Sequence, residues 1–234
     1  MARTNVVLDD KLAALTTLLG VAIMLTGVIL TIFFYNHFNA EQYSFLNHFV
    51  SELGWTKRSR MAWIFNRSLT IGSLMLLPSL YALGQQLHIR PRLGHTTMSI
   101  GLCTILAGSA VGIFPMGNMT PHLWASFLFF WGWFLTVLLF TWAFYRDRTD
   151  KTSRRMVVAG IGAALLCVVF MVFPKDSLVA AIRNINTFKR PDIWWIAIME
   201  WAVFFSMCLW VSMAMIVLWC RSARRAQYQG KSVS

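Results

Sequence analysis

The chain has 234 residues, 57% of them hydrophobic and 13% charged, which is about half the charged share of an ordinary soluble domain. A soluble globular protein is excluded on that ground. The net charge of +12 arises from 21 Lys and Arg against 9 Asp and Glu. Because the basic residues sit in short segments between apolar runs, they read as orientation and headgroup signals, and no nucleic-acid partner is expected.

Six apolar runs are long enough to cross a bilayer, which needs about 20 residues each. Together they predict an all-α polytopic transmembrane bundle of six helices, a single integral membrane domain over residues 1–234. A membrane β-barrel would need alternating segments of about ten residues, and these are absent. The first span runs from Leu12 to Tyr35, longer than a signal-peptide core and without a convincing cleavage pattern after it.

Residues Glu41 to Gly54 then show helical periodicity, with Leu46, Phe49, Val50 and Leu53 on one face and Ser44, Asn47, His48, Ser51 and Glu52 on the other. An interfacial helix capped by Gly54 is the expectation for this first external loop. On it His48 and Glu52 stand four apart, as neighbours that can orient an imidazole for proton transfer. The plainer reading is a solvated helix face.

The second span is expected near residues 66–84, opening with Asn66 and Arg67. The third, near 96–114, carries Gly108 and Gly112 at the spacing that lets helices approach closely. A short uncharged link with Pro115, Asn118 and Pro121 leads to His122, which opens the fourth span, 122–145. The basic loop from Arg146 to Arg155 follows. The fifth span, 157–173, is the shortest and has a small-residue face of Ala159, Gly160, Gly162, Ala163 and Ala164. The sixth runs from Ile193 to Cys220 between Trp194, Trp195 and Trp219, a separation of about 36 Å at 1.5 Å per residue.

With six spans both termini share a side. Arg3, Lys11, Arg90, Arg92, the Arg146 to Arg155 loop and the C-terminal Arg221, Arg224, Arg225 and Lys231 put 13 basic residues there, against 8 on the other side. The positive-inside rule places that side in the cytoplasm, as expected for a multi-pass protein of a cell inner membrane. Cys103, Cys167, Cys208 and Cys220 show neither a disulfide framework nor a zinc spacing. No cofactor and no resident metal are expected. A site of His48, His122 and Glu52 is the minor alternative, since two imidazoles and a carboxylate with an open position suit catalytic zinc. His37, His88 and His95 lie near span ends and read as interfacial.

The polar residues gather toward the external side. Glu200 lies about two turns into the sixth span, where an ionisable group costs up to roughly 2.5–3.5 kcal/mol and is a functional candidate by default. Asp192 stands at the mouth of that span, Arg67 is the expected partner of Glu200, and Asn66 can hydrogen-bond into the same cluster. His48, Ser51, Glu52, His122 and Glu200 are the candidate catalytic residues, with Asn66, Arg67 and Asp192 as candidate substrate-binding residues.

Ser51-Glu52-Leu53-Gly54, then Asn66, then Val111-Gly112-Ile113-Phe114-Pro115 and His122 resemble, in order and spacing, a bacterial six-helix membrane family of unknown function. That family is similar in turn to the eukaryotic FRAG/DRAM/SFK-like proteins. Members often carry Glu followed by Arg in the last span, whereas Glu200 is followed here by Trp201, which leaves Arg67 as the cation for Glu200. The resemblance implies no reaction, although some eukaryotic relatives act in lipid remodelling of glycolipid anchors or in lysosomal and autophagic membranes. A lipid-binding or scaffold protein is therefore the first expectation, and a lipid-modifying enzyme using the external cluster is the second. A small transporter comes third, because spans one, three and five are almost free of charge. Membrane lipids are the expected partners, with a membrane-protein partner or a second copy of the chain as the others.

Overall fold

The computed structural model describes residues 2–35, 42–86, 91–146, 151–183 and 189–231. The described residues form helices and connecting turns: α1 (Ala2–Phe33), a short 3-10 helix (Val50–Gly54), α2 (Ala62–Leu74), α3 (Leu77–Gln86), α4 (Pro91–Ile113), α5 (Met119–Arg146), α6 (Lys151–Val172), α7 (Asp176–Arg183) and α8 (Trp195–Lys231). Among them, five segments are long and apolar enough to cross a membrane, Asp10–Phe33, Leu93–Ile113, Met119–Arg146, Ser153–Val172 and Trp195–Arg224. They correspond to the first, third, fourth, fifth and sixth expected spans, and they make this a multi-pass membrane protein.

The second expected span departs from a continuous helix. It is two helices, α2 and α3, separated by Met75 and Leu76, and each is too short to cross by itself. Pro78 supplies the reason, since its ring would strike the carbonyl four residues earlier, that of Leu74, in an unbroken helix. In α3 it stands in the first turn, where its missing N–H is harmless. The pair nevertheless runs alongside α4 over its whole length. A Cβ on Gly112 would press into the Asn66 carbonyl at one end, Gly108 faces Ser73, Gly101 faces Leu80, and Gly84 faces Met98 at the other.

Neighbours in sequence are neighbours in space. Contacts link α1 to α2, α2 to α4, α4 to α5, α5 to α6, α6 to α8 and α8 back to α1, so the five long helices and α2 close into a ring. Its interior is filled by Trp133, Val137, Phe140, Phe144, Met156, Met207, Trp210 and Met215, all buried. Outward, Leu12, Leu19, Leu165 and Leu209 are 55–62% exposed, which is the apolar surface a bilayer solvates. The α1 and α2 backbones meet at Gly20 and Gly72, where a Cβ on Gly72 would lie 2.7 Å from the Gly20 carbonyl oxygen.

Polar side chains mark both ends of the ring. At one end the Ser222 hydroxyl donates to Asp10 at 2.8 Å, Arg221 donates to Ser153 at 2.8 Å, and Lys11 lies over the Trp219 ring. The start of α1, the start of α6 and the end of α8 thus share that end. The opposite end gathers the 42–61 segment, the link before α5, the 174–183 and 189–194 segments and the start of α8.

Candidate functional site

The expected interfacial helix over Glu41 to Gly54 is not what the described residues form. Glu41 lies outside them, Phe45–Asn47 is a turn, and only Val50–Gly54 is helical, as one 3-10 turn. Tertiary contacts override the short apolar periodicity: the Tyr43 hydroxyl donates to the Phe49 carbonyl at 2.8 Å, and the Trp201 indole N–H donates to the His48 carbonyl at 3.0 Å. His48 and Glu52 are consequently not helical neighbours. His48 Nδ1 lies 2.8 Å from Asn47 Oδ1, and its ring is packed edge-on to Tyr35.

Glu52 is held by a residue that no motif or periodicity connects to it. Arg190 donates through Nη1 to Oε1 and through Nη2 to Oε2, both at 2.8 Å. The Tyr35 hydroxyl and the Phe49 N–H complete the shell at 3.1 and 3.0 Å. A forked guanidinium on a carboxylate that is otherwise fully hydrogen-bonded is the geometry that makes a buried charge tolerable. Arg190 also donates to the Asn47 carbonyl, the Asn47 amide donates to Pro191, and Trp194 N–H donates to the Leu46 carbonyl. The 42–54 and 189–194 segments are thereby clamped together. Tyr43 sits beside this clamp, and burial, with the nearby Glu52 and Glu200 charges, pushes its hydroxyl far above the usual tyrosine range, so it remains a donor.

The clamp closes one wall of a cavity of about 760 Å³, within the roughly 300–1,000 Å³ common for ligand pockets. Its walls come from Phe49 and Ser51, from the first three turns of α5 (Met119 to Trp131), from Phe170 and Met171 of α6, from Leu178 and Ile182 of α7, and from Glu200 of α8. Most of this lining is apolar. Trp124, Phe127 and Trp131 are 44–64% exposed, so the α5 side of the cavity is open toward the surroundings of the ring.

Its polar groups are few. The Ser51 backbone N–H donates to Glu200 Oε2 at 3.5 Å, which fixes that carboxyl on the wall. His122 is buried with its Nδ1 2.9 Å from the Phe114 carbonyl oxygen. A carbonyl can only accept, so Nδ1 carries the proton and Nε2 presents a lone pair in the neutral ring. Lys175 donates to the carbonyls of Phe170, Met171 and Phe173 at 2.9–3.1 Å. It caps the end of α6, whose last carbonyls lack helical partners. Partial burial holds its ammonium below the usual lysine value.

Of the residues expected at this site, Ser51, His122 and Glu200 line the one cavity, whereas His48 and Glu52 belong to the clamp behind it. Arg67 does not pair with Glu200: it is exposed and lies over the Trp63 ring, 5.2 Å from the centroid. Asn66 donates to the Gly54 carbonyl at 3.0 Å, not to Glu200. Asp192 is exposed and outside the cavity lining. No group of three or more potential ligands exists among the described residues, so His48, Glu52 and His122 do not assemble a metal site, both Glu52 oxygens being committed to Arg190. His37 and His88 lie outside the described residues, and His95 is exposed.

Sequence reasoning missed Arg190, Tyr35, Tyr43, Trp201 and Lys175. No spacing links Arg190 to Glu52 across 138 positions; the only signal was an Arg beside Pro191 at the mouth of a span. A second cavity of about 50 Å³ in the bundle interior, lined by Ser73, Thr136, Trp133 and Trp210, is too small for a chain-bearing ligand.

Fold and site together define a multi-pass helical membrane protein with an apolar cavity at one end of its ring. The chain belongs to the family described as Protein of unknown function (DUF998), which it matches over residues 21–217. No curated protein and no solved structure matches it.

Proposed function

We propose that the protein holds a membrane lipid, or a similar chain-bearing amphiphile, in the cavity bordered by α5, α7 and Glu200. The observation that carries this reading is the arrangement of the lining. Apolar residues extend along α5 from Met119 to Trp131, about 18 Å at 1.5 Å per residue, while Ser51, His122 and Glu200 stand at the loop end. An apolar trough with a few polar groups at one end suits an acyl chain and its head.

Ser51, His122 and Glu200 are the proposed head-contacting residues, and the clamp around Glu52 is proposed to position Ser51. The antiparallel run of α2 and α3 beside α4 supports six crossings in one integral domain. The basic residues Lys11, Arg146, Arg154, Arg155, Arg221 and Arg224 at the end shared by α1 and α8 support cytoplasmic termini in a bacterial inner membrane. The resemblance to FRAG/DRAM/SFK-like proteins, some of which act on lipids, supports the same reading.

A second reading, a lipid-modifying enzyme, is favoured by one feature: His122 and Glu200, both able to move protons, line the same cavity. Binding is tested by native mass spectrometry of protein purified in mild detergent. A lipid-mass adduct is expected on the parent and on Leu209→Trp, which alters the outer surface, and is expected to fall at least fivefold on Ser126→Trp, which fills the cavity. An adduct retained equally by both variants, or absent from the parent, overturns the binding reading.

A further inference from the structure

We propose that the cavity selects amphiphiles whose head donates hydrogen bonds, a hydroxyl or an ammonium, and rejects phosphate and carboxylate heads. The inference rests on the binding reading above and deepens it by naming the head chemistry.

Charge and hydrogen-bonding capacity lead to it. An anionic head needs a cation with N–H groups to spare, and Lys175 is the cation on the cavity wall among the described residues. Its ammonium has three N–H bonds, and three carbonyls of the α6 end take them, those of Phe170, Met171 and Phe173. Turning the ammonium to a ligand would strip those carbonyls of their partner, and that loss offsets the new hydrogen bonds to the head.

Trp124 and Trp131 add neutral indole N–H donors to the wall, which carry no charge to balance an anion, whereas the two ionisable groups left there, His122 and Glu200, accept. His122 gives its Nδ1 proton to Phe114, so the neutral ring offers the Nε2 lone pair. The Glu200 carboxyl keeps an acceptor oxygen in either protonation state, and when ionised it repels an anion across a lining that screens poorly. The Ser51 hydroxyl is hydrogen-bonded to Glu200, and those of Thr120 and Ser126 can give or take a hydrogen bond and do not decide the matter. Clusters of arginine, which read phosphate by forked hydrogen bonds, are absent from the lining among the described residues, and Arg190 is committed to Glu52 through its two Nη nitrogens.

The test is a chain-matched series offered to the purified full-length protein and read as adduct fraction by native mass spectrometry. The series is a monoacylglycerol, a long-chain amine, a fatty acid and an alkyl phosphate. The first two are expected to bind at least tenfold more tightly than the last two, and the amine to lose its preference in Glu200→Gln while the monoacylglycerol keeps most of its affinity. Equal or tighter binding of the alkyl phosphate or the fatty acid, with sensitivity to Ser126→Trp retained, overturns the head chemistry and leaves the binding reading standing. Failure of all four to form an adduct sensitive to Ser126→Trp overturns both.

Discussion

At the scale of single residues, the buried ion pair is the most exposed to test. Removing Arg190 leaves the Glu52 carboxylate, 3% exposed, without a cation, and breaking a buried pair from one side costs about 3–5 kcal/mol. Arg190→Ala is therefore expected to lower the thermal midpoint sharply, with Glu52→Gln in the same chain restoring part of the loss. Equal midpoints for parent and Arg190→Ala would show that the clamp contributes nothing. Arg67→Ala, by contrast, is expected to stay within about 0.5 kcal/mol of the parent, as an exposed substitution does.

Tyr43 carries a pH signature. Its folded pKa is raised above the unfolded value of about 10, so its contribution is complete below that pH and declines as pH rises past it. The parent is expected to lose thermal stability above pH 10 more steeply than Tyr43→Phe does. Parallel curves would remove Tyr43 from the clamp.

Among elements, the apolar runs that became helices were legible because hydrocarbon leaves the backbone few alternatives. The interruption of the second span was legible in principle through Pro78. The 41–54 helix failed for a physical reason: its apolar spacing was real, but Tyr43, His48 and Glu52 commit their hydrogen bonds to Phe49, Trp201, Tyr35 and Arg190. Such long-range partners leave no periodic trace. Of the eight candidate residues, Ser51, His122 and Glu200 line the cavity, and the last two were conspicuous as polar groups near the ends of apolar helices. The Gly108 and Gly112 spacing correctly marked close packing of α4, whereas the Gly20 and Gly72 contact of α1 with α2 carries no motif. Gly72→Ala drives a methyl toward the Gly20 carbonyl and is expected to destabilise by about 1–3 kcal/mol, measured as a lowered thermal midpoint; an unchanged midpoint would show that the two helices slide apart freely.

For the whole molecule, the ring has two chemically distinct ends. One joins the starts of α1 and α6 to the end of α8 through Asp10, Ser222, Arg221 and Ser153, and it carries Arg146, Arg154 and Arg155. The other holds the clamp and the cavity. Reporter fusions after Arg155 and after Trp55 are expected on opposite sides of the membrane, and the same side for both would contradict six crossings. The cavity itself is tested most directly in native membranes with an amphiphile carrying a photoactivatable group in its chain, followed by mapping of the labelled peptides. Occupancy of the trough concentrates label on residues 119–131 of α5 and 178–182 of α7, and Ser126→Trp abolishes that enrichment. Label spread evenly over outward residues such as Leu12, Leu165 and Leu209, with no enrichment at α5 and α7, would contradict a lipid held in this cavity.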